Sequence, residues 1–211
     1  MVELLNKRQQ VIVVKVRKEI SMHQIFDYEN ASEINPILCQ KISRYDIEDV
    51  VVGGGRKTDM NLHKKGIPEL TTLLNWIDDL TPIAAHGFTS ADKYDKNNYR
   101  LISDQGGGKY NFNIKAFELH HCWGITYNKG EGVERHNHFP YALSFCYYVN
   151  LPSGSSPLVL DNEIINLKEG QVIFFLSSSY HSVPPASVNG RCVVVGNIMY
   201  KEYDRILVID K

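Results

Sequence analysis

Residues 130–138 read Gly-Glu-Gly-Val-Glu-Arg-His-Asn-His, and the fold turns on how His136 and His138 are taken. Side chains at i and i+2 of an extended segment share a face, so both imidazoles reach one ion. A third candidate, His181, stands in Tyr180-His181-Ser-Val-Pro-Pro, after the apolar run of Gly170-Gln-Val-Ile-Phe-Phe-Leu. That strand returns beside the first pair if two sheets close over each other. Arg191 then heads the run Cys192-Val-Val-Val, where a buried guanidinium is costly without an anionic partner. Three of eight histidines scattered by chance would carry no role, and it is the company of Arg191 that sets these apart.

Around this stretch the chain changes character near residue 114, where a mixed, loop-rich half gives way to closely spaced apolar runs bounded by Gly, Pro, Asn and Ser. The runs predict strands over residues 114–127, 142–151, 158–161, 163–167, 172–176 and 192–200, with one earlier strand over 11–16. Short strands at this spacing predict a mainly β fold, a double-stranded β-helix (jelly-roll, cupin-like) over 114–211. Supporting helices come before it. One starts at Pro68 and carries Leu70, Leu73, Leu74, Ile77 and Leu80 on a single face. Another starts after Asn30 or Ser32 and aligns Ile34, Ile37, Leu38 and Ile42, with Pro36 in its first turns. Residues 86–113 are polar and end in Gly106, Gly107 and Gly108, which predicts a loop that either lids a site or is a surface excursion. All 211 residues are read as a single domain, with 1–113 as support and lid.

Composition narrows the function class. Lys and Arg (23) nearly cancel Asp and Glu (24), so a nucleic-acid partner is unsupported. No apolar run is long enough for a membrane span and no signal-peptide core is seen, which predicts a cytoplasmic protein. Cys39, Cys122, Cys146 and Cys192 stand too far apart for a C-x-x-C site and are expected as free thiols. Gly53-Gly-Gly-Arg and Gly106-Gly-Gly-Lys lack the spacing of a phosphate loop and are expected as turns. His120-His121-Cys122 is not expected to form a metal site, because adjacent strand residues point to opposite faces.

Three ligands on one side of iron, open positions for a 2-oxo acid and O₂, and a cation for the far carboxylate make up an oxygenase site. Residues 123–199 resemble the iron(II)- and 2-oxoglutarate-dependent oxygenases, most closely a branch found in bacteria and marine phages. The resemblance is carried by Trp123-Gly-Ile-Thr-Tyr-Asn-Lys-Gly, Arg135-His-Asn-His, Tyr147-Tyr-Val-Asn, Gly154-Ser-Ser-Pro-Leu-Val, His181-Ser-Val-Pro and Arg191-Cys-Val-Val-Val-Gly-Asn. It implies Fe(II) on His136 and His181, and Arg191 paired with the C5 carboxylate of 2-oxoglutarate. It also implies Tyr148 bonded to that carboxylate, as in prolyl hydroxylases, and Tyr127 lining the cosubstrate pocket. O₂ and an unidentified primary substrate, for which peptidyl proline is one candidate, complete the implied reaction.

One departure matters. Most of the family has His-x-Asp where this chain has His136-Asn137-His138. The third ligand is then His138 or, failing that, Asp161, with Glu134 less well placed. Two other functions stay open: a cupin-like three-histidine dioxygenase that uses no 2-oxoglutarate, and a non-catalytic metal or small-ligand module. Substrate determinants are expected in residues 50–66 and 86–113. Nothing in the sequence indicates an oligomeric state.

Overall fold

Among the described residues, eight antiparallel strands in two sheets form the double-stranded β-helix, and three further strands extend one sheet at its edges. The computed structural model describes residues 22–45, 49–89 and 117–200. The expected strand over 11–16 and residues 90–113 of the expected loop lie outside the described residues.

The larger sheet has seven strands. Its centre is β4 (Phe117–Tyr127), β6 (Leu143–Asn150), β9 (Gln171–Leu176) and β11 (Arg191–Tyr200). β1 (His23–Asp27) pairs with β9 at one edge. β2 (Asp49–Val50) and β3 (Arg56–Lys57) follow β4 at the other. The smaller sheet runs β5 (Val133–His136), β10 (His181–Val183), β7 (Leu158–Leu160), β8 (Glu163–Ile165).

Alternation along the strands separates two cores. On β11, Cys192, Val194 and Ile198 face one way and Val193 and Val195 the other; on β6, Phe145, Tyr147 and Val149 oppose Cys146 and Tyr148. The first set packs under helices α1 (Ala31–Arg44) and α2 (Pro68–Thr89), and the second faces the smaller sheet. Apolar surface is buried on both sides of this sheet, and each Å² removed from water stabilises the fold by about 25 cal/mol.

The helix starting at Pro68 is found as expected, with Leu70, Leu73 and Ile77 buried against the sheet. It continues to Thr89, so the first residues of the expected loop are its last turn. In α1, Leu38 and Ile42 are buried, but Ile37 is 43% exposed and Asn35 takes its place inside. The cause is polar: Asn35 Oδ1 accepts the Tyr147 hydroxyl at 2.7 Å, which satisfies two groups that burial would otherwise strand. Helix α1 presses so closely on β4 that a Cβ at Gly124 would lie 2.6 Å from Ile42 Cγ2. The thiols are free, as expected.

Residues 50–66 are more ordered than their sequence suggests. β2 and β3 form a hairpin whose turn has Gly53 and Gly54 at φ of 109° and 99°, a region that glycine enters without strain. Thr58 ties the end of this hairpin to β4: its N–H donates to the Gly124 carbonyl at 3.0 Å and its Oγ1 accepts the Gly124 N–H at 3.1 Å. No helix of the described residues is long and apolar enough to cross a membrane.

Candidate metal and cosubstrate site

His136 ends β5 and His181 begins β10, and the two are directly paired across the smaller sheet. Past His136 the chain leaves the ladder, and the His138 N–H donates to the Ser177 carbonyl at 2.7 Å. This turns the third imidazole onto the other two. The candidate ligand atoms of His136, His138 and His181 all lie within 4.8 Å of one another, with the His136 and His138 Nε2 atoms 3.1 Å apart.

Each ring is oriented through its Nδ1 nitrogen. That of His136 lies 2.8 Å from the Glu134 carbonyl, that of His181 3.4 Å from the Ser179 carbonyl, and that of His138 2.5 Å from Asn197 Oδ1. A carbonyl oxygen only accepts, so Nδ1 of His136 and His181 carries the proton and Nε2 keeps its lone pair. Trp123 stacks on His138 at 5.7 Å and Phe175 packs on His181 at 4.9 Å. Burial, and secondarily the neighbouring imidazoles, pull His181 down to about 3. Burial also pulls His138 down to about 4, against the opposing bond from Asn197. Both rings are therefore neutral near pH 7, as metal ligation requires.

The alternative carboxylates do not join them. Asp161 turns the β7–β8 hairpin at φ 46° and its Oδ1 accepts the Tyr180 N–H at 2.9 Å. Glu134 serves through its backbone carbonyl. Among the described residues the cluster is three histidines without an acid.

A cavity of about 580 Å³ opens between the sheets, lined at the cluster by the three histidines and Asn197, and elsewhere by Tyr127 and Arg191 among apolar residues including Ile125, Val193 and Val195. Arg191 is 1% exposed. Its Nη2 donates to the Tyr148 hydroxyl at 3.3 Å, and its guanidinium lies 4.7 Å from the centre of the Tyr127 ring. Its Nε and Nη1 are buried without a hydrogen-bond partner among the described residues. Burial opposes the charge, but Tyr148 and Tyr127 hold the guanidinium above its usual pKa. Tyr148 does not line the cavity; it stands behind Arg191 and fixes its orientation.

This donor set fits a divalent transition metal, since neutral imidazoles suit iron, zinc, copper and nickel alike. The unpaired guanidinium N–H groups fit a carboxylate in the same cavity. The sequence assigns site roles to His136, His138, His181, Arg191, Tyr148 and Tyr127 and none to Asn197, Ser144 or Ser177, although Asn197 closes the Arg191-Cys-Val-Val-Val-Gly-Asn motif. A further signal for it is a lone amide in the apolar run of β11.

His120 and His121 differ from expectation. A bulge at His120 breaks the alternation, because Asn197 pairs with His121 and Ile198 with Leu119. The two rings thus lie 4.4 Å apart instead of on opposite faces, and His121 Nδ1 is 2.9 Å from the Tyr141 hydroxyl. They form no part of the three-histidine cluster.

No protein-family model matches the chain, and no curated protein sequence matches it. Solved structures do. A prolyl-4-hydroxylase of Pseudomonas putida superposes with a TM-score of 0.59 at 14% identity, over 85% of this chain and 93% of that one. The viral collagen prolyl hydroxylase of Paramecium Bursaria Chlorella virus-1, solved with 2-oxoglutarate, gives 0.58 at 11% identity over 84% and 96%. SnoN, a non-heme α-ketoglutarate-dependent epimerase of nogalamycin biosynthesis, gives 0.60 at 11% identity over 87% and 80%. At such identities the likeness is one of fold, the double-stranded β-helix.

Proposed function

We propose that this chain is an iron(II)- and 2-oxoglutarate-dependent oxygenase that hydroxylates a C–H bond. The observation that carries this is the pairing, in one cavity, of three imidazoles converging on a point with a buried guanidinium whose Nε and Nη1 have no hydrogen-bond partner among the described residues. His136, His138 and His181 would hold the iron, and Arg191 would take the C5 carboxylate of 2-oxoglutarate. When bound, iron and 2-oxoglutarate supply oxidative decarboxylation to succinate and CO₂, coupled through O₂ to oxidation of the substrate.

The chain's own residues bind, orient and shield. Arg191 offers a rigid donor fork for bidentate pairing with a carboxylate. Tyr148 fixes the direction of that fork, and the Tyr127 ring covers its face. Ile125, Phe175, Val193 and Val195 line the cavity with apolar surface, which limits water and strengthens each polar contact inside.

For the primary substrate we infer peptidyl proline, supported by the fold shared with two prolyl hydroxylases and by the Tyr147-Tyr148-Val149-Asn150 strand. One observation favours a second reading, a three-histidine dioxygenase that needs no 2-oxo acid: among the described residues no carboxylate joins the cluster. Turnover separates them. The iron-loaded chain, given 2-oxoglutarate and O₂ with and without proline-rich peptides, is expected to release succinate. O₂ consumption without succinate would favour the second reading, and neither would leave a binding module.

A further inference from the structure

We propose that Asn197 is a positioning residue for the metal: its carboxamide oxygen holds His138 in the tautomer that lets an imidazole ligate where related sites carry a carboxylate. This rests on the iron site proposed above and concerns what makes its unusual third ligand workable.

Asn197 sits in the apolar strand β11, 2% exposed, where an amide is costly unless bonded. Its oxygen lies 2.5 Å from His138 Nδ1 and also accepts the Ser144 hydroxyl at 3.0 Å. Ser144 Oγ in turn lies 2.7 Å from Ser177 Oγ, and neither serine is exposed to solvent. With Ser144 donating to Asn197 Oδ1, the Ser144 oxygen is left to accept from Ser177, and the amide oxygen keeps a second lone pair for a proton on His138 Nδ1.

That direction matters because His136 and His181 face backbone carbonyls, which can only accept, whereas a side-chain amide can present either oxygen or nitrogen. With nitrogen forward, His138 would carry its proton on Nε2, toward the point where the rings converge. In this structure the oxygen faces forward, where it lies against His138 Nδ1 and accepts the Ser144 hydroxyl. Ser177 adds a second constraint, because its carbonyl accepts the His138 N–H and fixes the backbone that carries the ring.

The test uses the full chain and Co(II), which reports imidazole ligation through its visible absorption without turnover. Asn197→Leu keeps the shape but removes the acceptor, whereas Asn197→Asp keeps an acceptor and removes any ability to donate. Loss of an outer hydrogen bond to a ligating histidine weakens metal binding by about 10–100-fold, and that loss is expected for Asn197→Leu. Asn197→Asp is expected to bind Co(II) at least as tightly as wild type. Circular dichroism checks folding, and the milder Ser144→Ala, expected to fall between wild type and Asn197→Leu, stands in if a substitution at 197 fails to fold. Unchanged affinity in Asn197→Leu, equal weakening in Leu and Asp variants, or Ser144→Ala identical to wild type would each overturn the positioning role while leaving the metal site standing. A wild-type chain that takes up no Co(II) would overturn both.

Discussion

The two faces of the seven-stranded sheet share one backbone and differ in what they bury. Toward the helices, Cys192, Val194, Phe145, Val149, Val172 and Phe174 pack with Leu38, Leu70 and Leu73, and the Tyr147–Asn35 bond is the exception. Toward the smaller sheet, Arg191, Asn197, Ser144 and Tyr148 are equally buried, yet they meet polar partners, and Arg191 and Asn197 border a cavity. A period of two residues thus lets one strand serve stability with one face and chemistry with the other. The faces should be separable by mutation.

The largest effect is expected on the cavity side. His136→Ala or His181→Ala removes one of three imidazoles, and each variant should lose nearly all its iron while keeping its fold. Metal analysis beside a thermal melt checks both halves, and a full equivalent of iron in either variant would remove that residue from the site. The converse comes from the helix side. Phe174, fully buried against Phe26 and Phe145, should cost about 3–5 kcal/mol of stability when cut to alanine. In denaturant titrations Phe174→Ala should unfold early, with iron affinity close to wild type at low denaturant. Equal losses of stability and iron would mean the two faces are not independent.

Arg191→Lys addresses the cosubstrate alone. A lysine keeps the charge but not the planar fork, so 2-oxoglutarate should bind roughly 10-fold or more weakly with iron retained, as measured by anaerobic calorimetry. His138→Asp restores a common triad with a shorter, charged ligand, and iron should remain while its spectrum with 2-oxoglutarate shifts. An unshifted spectrum would take His138 out of the site; Asp161→Ala, at a residue tied to the Tyr180 N–H, should leave iron in place.

Acid should give the smallest and most gradual effect. Burial lowers His138 to about 4 and His181 to about 3, both below the ordinary 6.5, so between those values the unfolded chain binds more protons than the folded one. The metal-free protein should be at full stability above pH 6.5, lose stability as pH falls toward 4, and level off below 3. The double variant His138→Gln/His181→Gln should show a flatter profile in pH-dependent denaturation. An unchanged profile would deny burial of these rings.

Much of this contrast is legible in the amino-acid sequence. His136, His138, His181 and Arg191 stand out because polar residues beside apolar runs need a reason, and the runs themselves mark most strands to within a few residues. The division of faces is not legible there. β6 and most of β11 are buried on both sides, so Leu143-Ser-Phe-Cys-Tyr-Tyr-Val and Cys192-Val-Val-Val show no clean polar–apolar alternation. Asn197 is hidden for the same reason, since its partners Ser144 and Ser177 come from distant segments. Helical periodicity assigns Ile37 inward, because it cannot foresee that Tyr147 draws Asn35 into its place. The bulge at His120 leaves no local mark, because register is set by pairing with β11 and not by β4 itself.

The most direct measurement is an anaerobic titration of the Fe(II)-loaded chain with 2-oxoglutarate, followed by visible absorption. Chelation of iron by the 2-oxo acid, with its far carboxylate on Arg191, predicts a charge-transfer band that saturates at one equivalent in wild type. The same band should need much more 2-oxoglutarate in Arg191→Lys and be missing in His181→Ala. Iron-loaded wild type that develops no band, or an Arg191→Lys variant titrating at the wild-type midpoint, would contradict a shared iron and 2-oxoglutarate site between the sheets.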